Sequence, residues 1–279
     1  MENKRKYKIV ASDLDGTLLG EDQLVSPENL RAISEMKRLG VEFIPATGRT
    51  LGEITREIIY SDDIRYVLAS NGAIVWDKLD RKMIISHYMP KHLLDFMIEL
   101  EHRYTTYTIV HDNGKAYYDS TRHRTEIFDA CHLNDYYRKL IGATSSSLSD
   151  YDNVVANSET IEMFCTFFAN DDDLREAKKL LLGTGMLSAV ETVSNCLEIY
   201  LNVAGKGNTL TALSQKLGVD TAEVIAVGDS ANDYTLLKAS GLGLAMGNAC
   251  PALKEIADET ICNNSEHGAK YILENFINQ

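Results

Sequence analysis

Apolar runs of strand length recur at positions 7–12, 41–46, 66–69, 224–227 and 241–245, and each is apolar nearly throughout rather than alternating. With helical stretches between several of them, this pattern predicts an α/β fold whose parallel strands are covered on both faces. The clearest helix begins at Ser26-Pro27, with Ser26 as N-cap, Pro27 at the first helical position and Gly40 just past the end. Another is expected from Pro251 towards Ala257. Ligands of such sheets gather at the carboxyl ends of the strands, so the residues that end each run are the ones to read for chemistry.

Between about 83 and 200 the pattern changes. HDNG at 111–114 predicts a hairpin turn between strands at 107–111 and 115–118, and a polar stretch, GATSSSLSDYDN at 142–153, follows. A strand-like run at 161–168 leads to a helix starting near Asp171 and to two further strands at 187–192 and 197–201. This is an α+β pattern. It predicts an inserted domain, 83–200, within a discontinuous parallel-sheet domain made of 1–82 and 201–279. No internal repeat and no long low-complexity segment interrupts either part.

The formal net charge of −13 opposes binding to nucleic acid or to anionic membranes through a broad basic surface. No apolar run approaches the roughly 20 residues that span a bilayer, and the start, MENKRKYKIVASD, has no signal-type apolar core. A cytoplasmic protein with neither nucleic-acid nor membrane partner is expected. The five cysteines, Cys131, Cys165, Cys196, Cys250 and Cys262, are scattered without a C-x-x-C pair and read as small buried hydrophobes. The seven histidines lack H-E-x-x-H spacing.

Four strand ends carry unusual polar chemistry. The first run ends in Asp13-Leu14-Asp15-Gly16, and in an extended chain Asp13 and Asp15 would point to the same side. Asp-Gly is a common turn dipeptide, so one acid could be a turn residue; two need a further reason. The second run ends in Thr47-Gly48-Arg49, a hydroxyl, a permissive glycine and backbone N–H groups suited to an anionic oxygen, or else a helix N-cap at Thr47 or Thr50. The run at 224–227 ends in Gly228-Asp229-Ser230-Ala231-Asn232-Asp233, where capping accounts for one polar residue of three. Carboxylates gathered at one sheet edge repel one another unless a cation joins them, and hard oxygen donors without nearby His or Cys suit Mg²⁺. Lys206, between Gly205 and Gly207 before a helical stretch, could meet a phosphate or sit on the surface; the P-loop pattern is absent.

Taken together and in this order, DLDGTLL, ATGR, GKGNTL and GDSANDYTLL resemble the haloacid dehalogenase-like hydrolases, and the long insert after the second motif is similar to the Cof-type branch with its C2-type cap. SNGAIV at 70–75, AMGNA at 245–249 and NNSEHGA at 263–269 extend the resemblance across the core. It implies a Rossmann-like three-layer core and a Mg²⁺-dependent phosphatase of a small phosphorylated metabolite, a sugar phosphate by family analogy. Asp13 would be the nucleophile and Asp15 the general acid/base. Mg²⁺ would be held by Asp13, the Asp15 carbonyl and Asp229, with Asp233 holding metal-bound waters or orienting Lys206. Thr47, Gly48, Lys206 and Asn232 would hold the phosphoryl oxygens. The cap would close over the strand ends and choose the substrate.

Two positions depart from the family pattern: Gly205 stands where serine often precedes the lysine, and His267 where an acid is frequent. Alternatives from the same residues are a phosphotransferase or mutase using the same aspartyl phosphate, and a catalytically silent metabolite-binding regulator. A monomer and a dimer are both compatible with the sequence.

Overall fold

The computed structural model describes residues 6–278. They divide into two compact units: Met1–Gly48 with Ile54–Ile85 and Gly205–Gln279, and Arg49–Glu53 with Ser86–Ala204.

The first unit is built on a five-stranded parallel sheet in the order Glu259–Thr260, Leu242–Ala245, Val224–Gly228, Ile9–Ser12 and Glu42–Pro45. Ile9–Ser12 is a central strand whose four residues are all buried, so both of its faces are covered, as its unbroken apolar run predicts. In register, Ser12 lies beside Val227 and Pro45, which brings the loops after three strands to one edge. The helix Pro27–Arg38 starts as expected: the Ser26 side chain accepts from Asn29 N–H, and Ala32, Ile33 and Met36 form its buried stripe. The Pro251–Ile256 helix is also present. Among the described residues no helix is long and apolar enough to cross a membrane.

The run at 66–69 forms a strand, Tyr66–Ala69, but not within the parallel sheet. It pairs antiparallel with Ile74–Asp77 in a three-stranded sheet, and among the described residues one parallel bridge, Ala46 to Leu68, joins it edge-on to the segment that continues Glu42–Pro45. Apolar continuity specifies burial and strand length, not the partner.

The second unit contains a six-stranded sheet, ordered Leu187–Glu191, Cys196–Leu201, Ile161–Phe168, Thr106–Asp112, Lys115–Asp119 and Ser145–Leu148. All pairs are antiparallel except the last, which is parallel. Met97, Val155, Phe164, Phe168, Ala177 and Leu181 belong to one core that joins this sheet to the helices Lys91–Arg103, Tyr151–Asn157 and Asp171–Gly183. The polar stretch at 142–153 is thus not a plain loop: it holds the edge strand Ser145–Leu148, three serines and a leucine with Ser146 and Ser147 exposed, which carries no apolar signature. The compact unit begins at Ser86 and ends at Ala204, a few residues beyond the sequence-based limits of 83 and 200, and it also takes in Arg49–Glu53. That short segment is bound through Gly52 N–H to the Gly114 carbonyl (2.9 Å) and through the Thr144 hydroxyl to Glu53 Oε1 (3.1 Å). The cysteines are free, Cys131 and Cys196 buried and the other three half-buried.

Candidate active site

The strand Ile9–Ser12 stops at Ser12, and the chain then winds through a helical turn, Leu14–Leu18, broken at Asp15 (φ −74°, ψ 120°) and Gly16 (φ 74°). Asp13 (φ −60°, ψ 163°) and Asp15 are themselves extended, although a turn begins between them at Leu14, and the Asp15 charge acts on both Asp13 and Asp229. Adjacent strands bring in the further acids: Asp13 N–H donates to the Val227 carbonyl at 3.0 Å, placing Asp13 next to the loop that begins at Gly228. Leu14 is fully buried, which anchors the turn in the core. A Cβ on Gly16 would run into the Asp229 carboxylate, so this position needs glycine both for its left-handed φ and for the close approach. Asn248 Nδ2 donates to the Gly16 carbonyl (2.7 Å), Asn264 Nδ2 to the Leu19 carbonyl (2.9 Å) and Asn29 Nδ2 to the Leu18 carbonyl (3.3 Å), so the middle and the C-terminal end of the turn are tied down.

Lys206 is the first residue of the Lys206–Leu217 helix, and its side chain has no exposed surface. Its ammonium donates to Asp13 Oδ1 and to Asp233 Oδ1, both at 2.6 Å. The other Asp233 oxygen accepts from Asp229 N–H (3.0 Å) and Ser230 N–H (3.1 Å). Asp233 therefore spends both oxygens on the protein, orienting Lys206 and closing its own loop. Thr17 donates weakly to Asp229 Oδ1 at 3.4 Å.

Burial and the neighbouring Asp233 push the Asp13 carboxyl well above the usual carboxylate range, while Lys206 pulls the other way. Asp229 is pushed up to about 7, by burial first and then by Asp233, and the charge of Asp15 raises both Asp13 and Asp229. Burial works against the Lys206 ammonium, but Asp13 and Asp233 outweigh it and hold the proton on. Three carboxylates converge beside one ammonium, which bonds Asp13 and Asp233, so this corner lacks positive charge. One oxygen from each of Asp13, Asp229 and Asp233 lies within 4.8 Å of the others. These hard donors fit a divalent cation of the Mg²⁺ class. Since both Asp233 oxygens are already engaged, Asp13 and Asp229 are the better direct ligands. The Asp15 side chain is not in this convergent group, and its part in metal binding would be through its carbonyl, as the sequence resemblance implies.

Thr47 is buried, and its N–H donates to the Leu68 carbonyl at 2.9 Å. Gly48 follows it within the same unit. Asn232 Oδ1 accepts from the Ser230 hydroxyl at 2.8 Å, and Asn232 Nδ2 donates to Asn71 Oδ1 at 3.1 Å. All eight residues singled out in the sequence thus lie in the parallel-sheet unit. Ser70, Asn71 and Gly72 belong to the family pattern SNGAIV, Thr17 to DLDGTLL and Thr209 to GKGNTL, but the sequence gives none of them a role. A Ser-Asn-Gly run directly after a strand was the available signal for the first three.

Residues 10–273 match the family described as haloacid dehalogenase-like hydrolase. Among curated proteins, the chain is 28% identical over 276 residues to the 5-amino-6-(5-phospho-D-ribitylamino)uracil phosphatase YcsE of Bacillus subtilis, covering 97% of this chain and 96% of the relative. It is 27% identical over 254 residues to the HMP-PP phosphatase of Yersinia pseudotuberculosis, covering 89% and 87% respectively. Among solved structures, a haloacid dehalogenase-like hydrolase from B. subtilis superposes with a TM-score of 0.81 at 25% identity, covering 97% of this chain and all (100%) of that one. The sheet order, the acids that converge beyond its central strands and the nearly full-length family match agree, and the chain belongs to the haloacid dehalogenase-like hydrolases.

Proposed function

We propose that this protein is a Mg²⁺-dependent phosphatase of a small phosphorylated metabolite, working through an aspartyl phosphate on Asp13. The observation that carries the reading is the buried Lys206 ammonium shared between Asp13 and Asp233. It engages Asp13 Oδ1 and so directs Oδ2 of the same carboxylate towards an incoming phosphorus. Asp13 Oδ2 forms the new bond to phosphorus as the ester P–O bond breaks. Asp15 gives its proton to the departing alkoxide, then takes one from the water that attacks the aspartyl phosphate, releasing inorganic phosphate and restoring both acids. Lys206, the Asn232 amide, Thr47 and the backbone at Gly48 hold the phosphoryl oxygens as charge shifts between them. Bound by Asp13, Asp229 and the Asp15 carbonyl, Mg²⁺ would offset the repulsion between the anionic nucleophile and the phosphoryl group.

The named relatives act on a phosphorylated ribityl pyrimidine and on HMP-PP, which supports a small metabolite and favours a sugar- or polyol-like phosphate here. We assign substrate choice to the inserted unit, Ser86–Ala204, which contains none of the proposed reaction residues. The test is phosphate release from a panel of sugar phosphates, the ribityl compound, an aryl phosphate and a folded phosphoprotein, each with Mg²⁺ and each against Asp13→Asn. Turnover of small esters well above that variant is expected. Preference for the phosphoprotein, or no release above Asp13→Asn from any member, overturns the proposal.

A further inference from the structure

The turn Ser70–Gly72 has three successive residues at left-handed φ, 48°, 52° and 88°, and two of them are not glycine. Such a run lies in sparsely populated backbone space and persists only where its surroundings hold it. Ser70 and Asn71 have no exposed surface, and Gly72 is buried beside them. What holds the turn is the phosphate-binding apparatus. Asn71 N–H donates to the carbonyl of Thr47 (3.0 Å), and Asn71 Oδ1 accepts from Asn232 Nδ2 (3.1 Å). The Gly72 carbonyl accepts from Thr209 Oγ1 (2.7 Å), one helical turn beyond Lys206. A Cβ on Gly72 would come within 2.7 Å of the Gly205 carbonyl oxygen, immediately before Lys206.

We propose that Asn71 is a positioning residue for phosphate recognition. Its side-chain oxygen aims the Asn232 amide. The hydrogen-bond inventory supplies the logic. A serine hydroxyl donates to Asn232 Oδ1, which fixes that amide's orientation, and Asn71 Oδ1 takes one of the two Nδ2 protons. The second Nδ2 proton is then directed to a phosphoryl oxygen. An acceptor on a left-handed residue is required at position 71, and asparagine tolerates that conformation better than most side chains.

The inference rests on the phosphatase reading, and the experiment separates the two. Asn71→Gly keeps the backbone conformation and removes the acceptor. The parent, Asn71→Gly, Asn232→Ala and the double variant are compared for kcat/KM on an aryl phosphate, for inhibition by orthovanadate and for Kd of inorganic phosphate, with thermal midpoints measured alongside. Asn71→Gly is expected to lose on the order of 10-fold in kcat/KM and to weaken vanadate and phosphate similarly. Adding it to Asn232→Ala should change nothing further, because its effect passes through that amide. A merely structural turn residue would lower the thermal midpoint and multiply its loss with that of Asn232→Ala. That result, or an Asn71→Gly within twofold of the parent, overturns the inference. Absence of turnover in the parent defeats the phosphatase reading instead, and Asn71 is then judged on phosphate Kd alone; a parent that also binds no phosphate defeats both.

Discussion

Asp13 and Glu101 are almost equally withdrawn from water, at 4% and 3% exposure, one in each compact unit, and their surroundings differ in kind. Asp13 has two further aspartates and a buried lysine within reach. Glu101 sits on the Lys91–Arg103 helix, and Tyr151 OH donates to its Oε1 at 3.1 Å. Arg122 donates to the backbone carbonyl of Glu101 (2.9 Å), and its charge acts on the carboxyl only from nearby. Burial pushes the Glu101 carboxyl up to about 8, with Arg122 and the Tyr151 hydrogen bond pulling back, so it is mostly neutral at pH 7. A buried acid can thus be accommodated by keeping its proton. Several acids converging around a charged lysine call for a cation. Convergence, rather than burial or a raised pKa, distinguishes a site from a packing solution.

The largest effect should separate these two acids by activity. Asp13→Asn is nearly isosteric and is expected to reduce phosphatase turnover by at least about 10⁴-fold, while Glu101→Gln stays within about twofold. Asp15→Asn should also stop turnover, but with a reactive aryl phosphate it should leave a covalent phosphate on Asp13, visible as added mass on the intact protein. Near-parental turnover by Asp13→Asn would remove it as nucleophile. A Glu101→Gln loss comparable with that of Asp13→Asn would erase the distinction drawn above.

Next in size is the effect of the charge balance. Lys206→Met leaves Asp13 and Asp233 facing each other without their ammonium and is expected to cost about 10²- to 10³-fold in kcat. EDTA should abolish parental activity and Mg²⁺ restore it. Mg²⁺ should also raise the parent's thermal midpoint, by preferential binding to the folded chain, and should do so far less in Asp229→Asn. An equal Mg²⁺ shift in the parent and in Asp229→Asn would place the cation elsewhere.

How much of this was readable in advance follows from what each signal encodes. The run at 161–168 forms a strand with those bounds, Ile161–Phe168, because seven of its eight positions are buried. Glu259–Thr260 was missed, since a two-residue strand with both positions exposed has no apolar run to show. Ser145–Leu148, the edge strand of the six-stranded sheet, was missed for a similar reason, since three of its four residues are serine and none is buried. The acids and Lys206 were legible because they sit in compact motifs at strand ends or at a helix start. Asn71 was not, because its chemistry lies in a partner 161 residues away and in a backbone conformation that the sequence only hints at through the following glycine.

The smallest effect concerns Glu101 itself and tests the other half of the comparison through stability. Its folded pKa, about 8, lies above the ordinary value of 4.5, so between these limits the folded chain binds more protons than the unfolded chain. The corresponding stabilisation is complete below about pH 4.5, diminishes as pH rises and is lost as pH passes through about 8. Glu101→Gln keeps a hydrogen-bonding oxygen for Tyr151 and has nothing to titrate. The parent should therefore lose stability relative to this variant as pH is raised from 5 to 8, on the order of a few kcal/mol across the window. Thermal midpoints of both proteins over that range are the measurement, with the difference between them changing by several degrees. Parallel profiles would mean that Glu101 is ionised in the folded chain at neutral pH. It would then need a charged partner, and the contrast with Asp13 would reduce to the number of acids rather than the way each is accommodated.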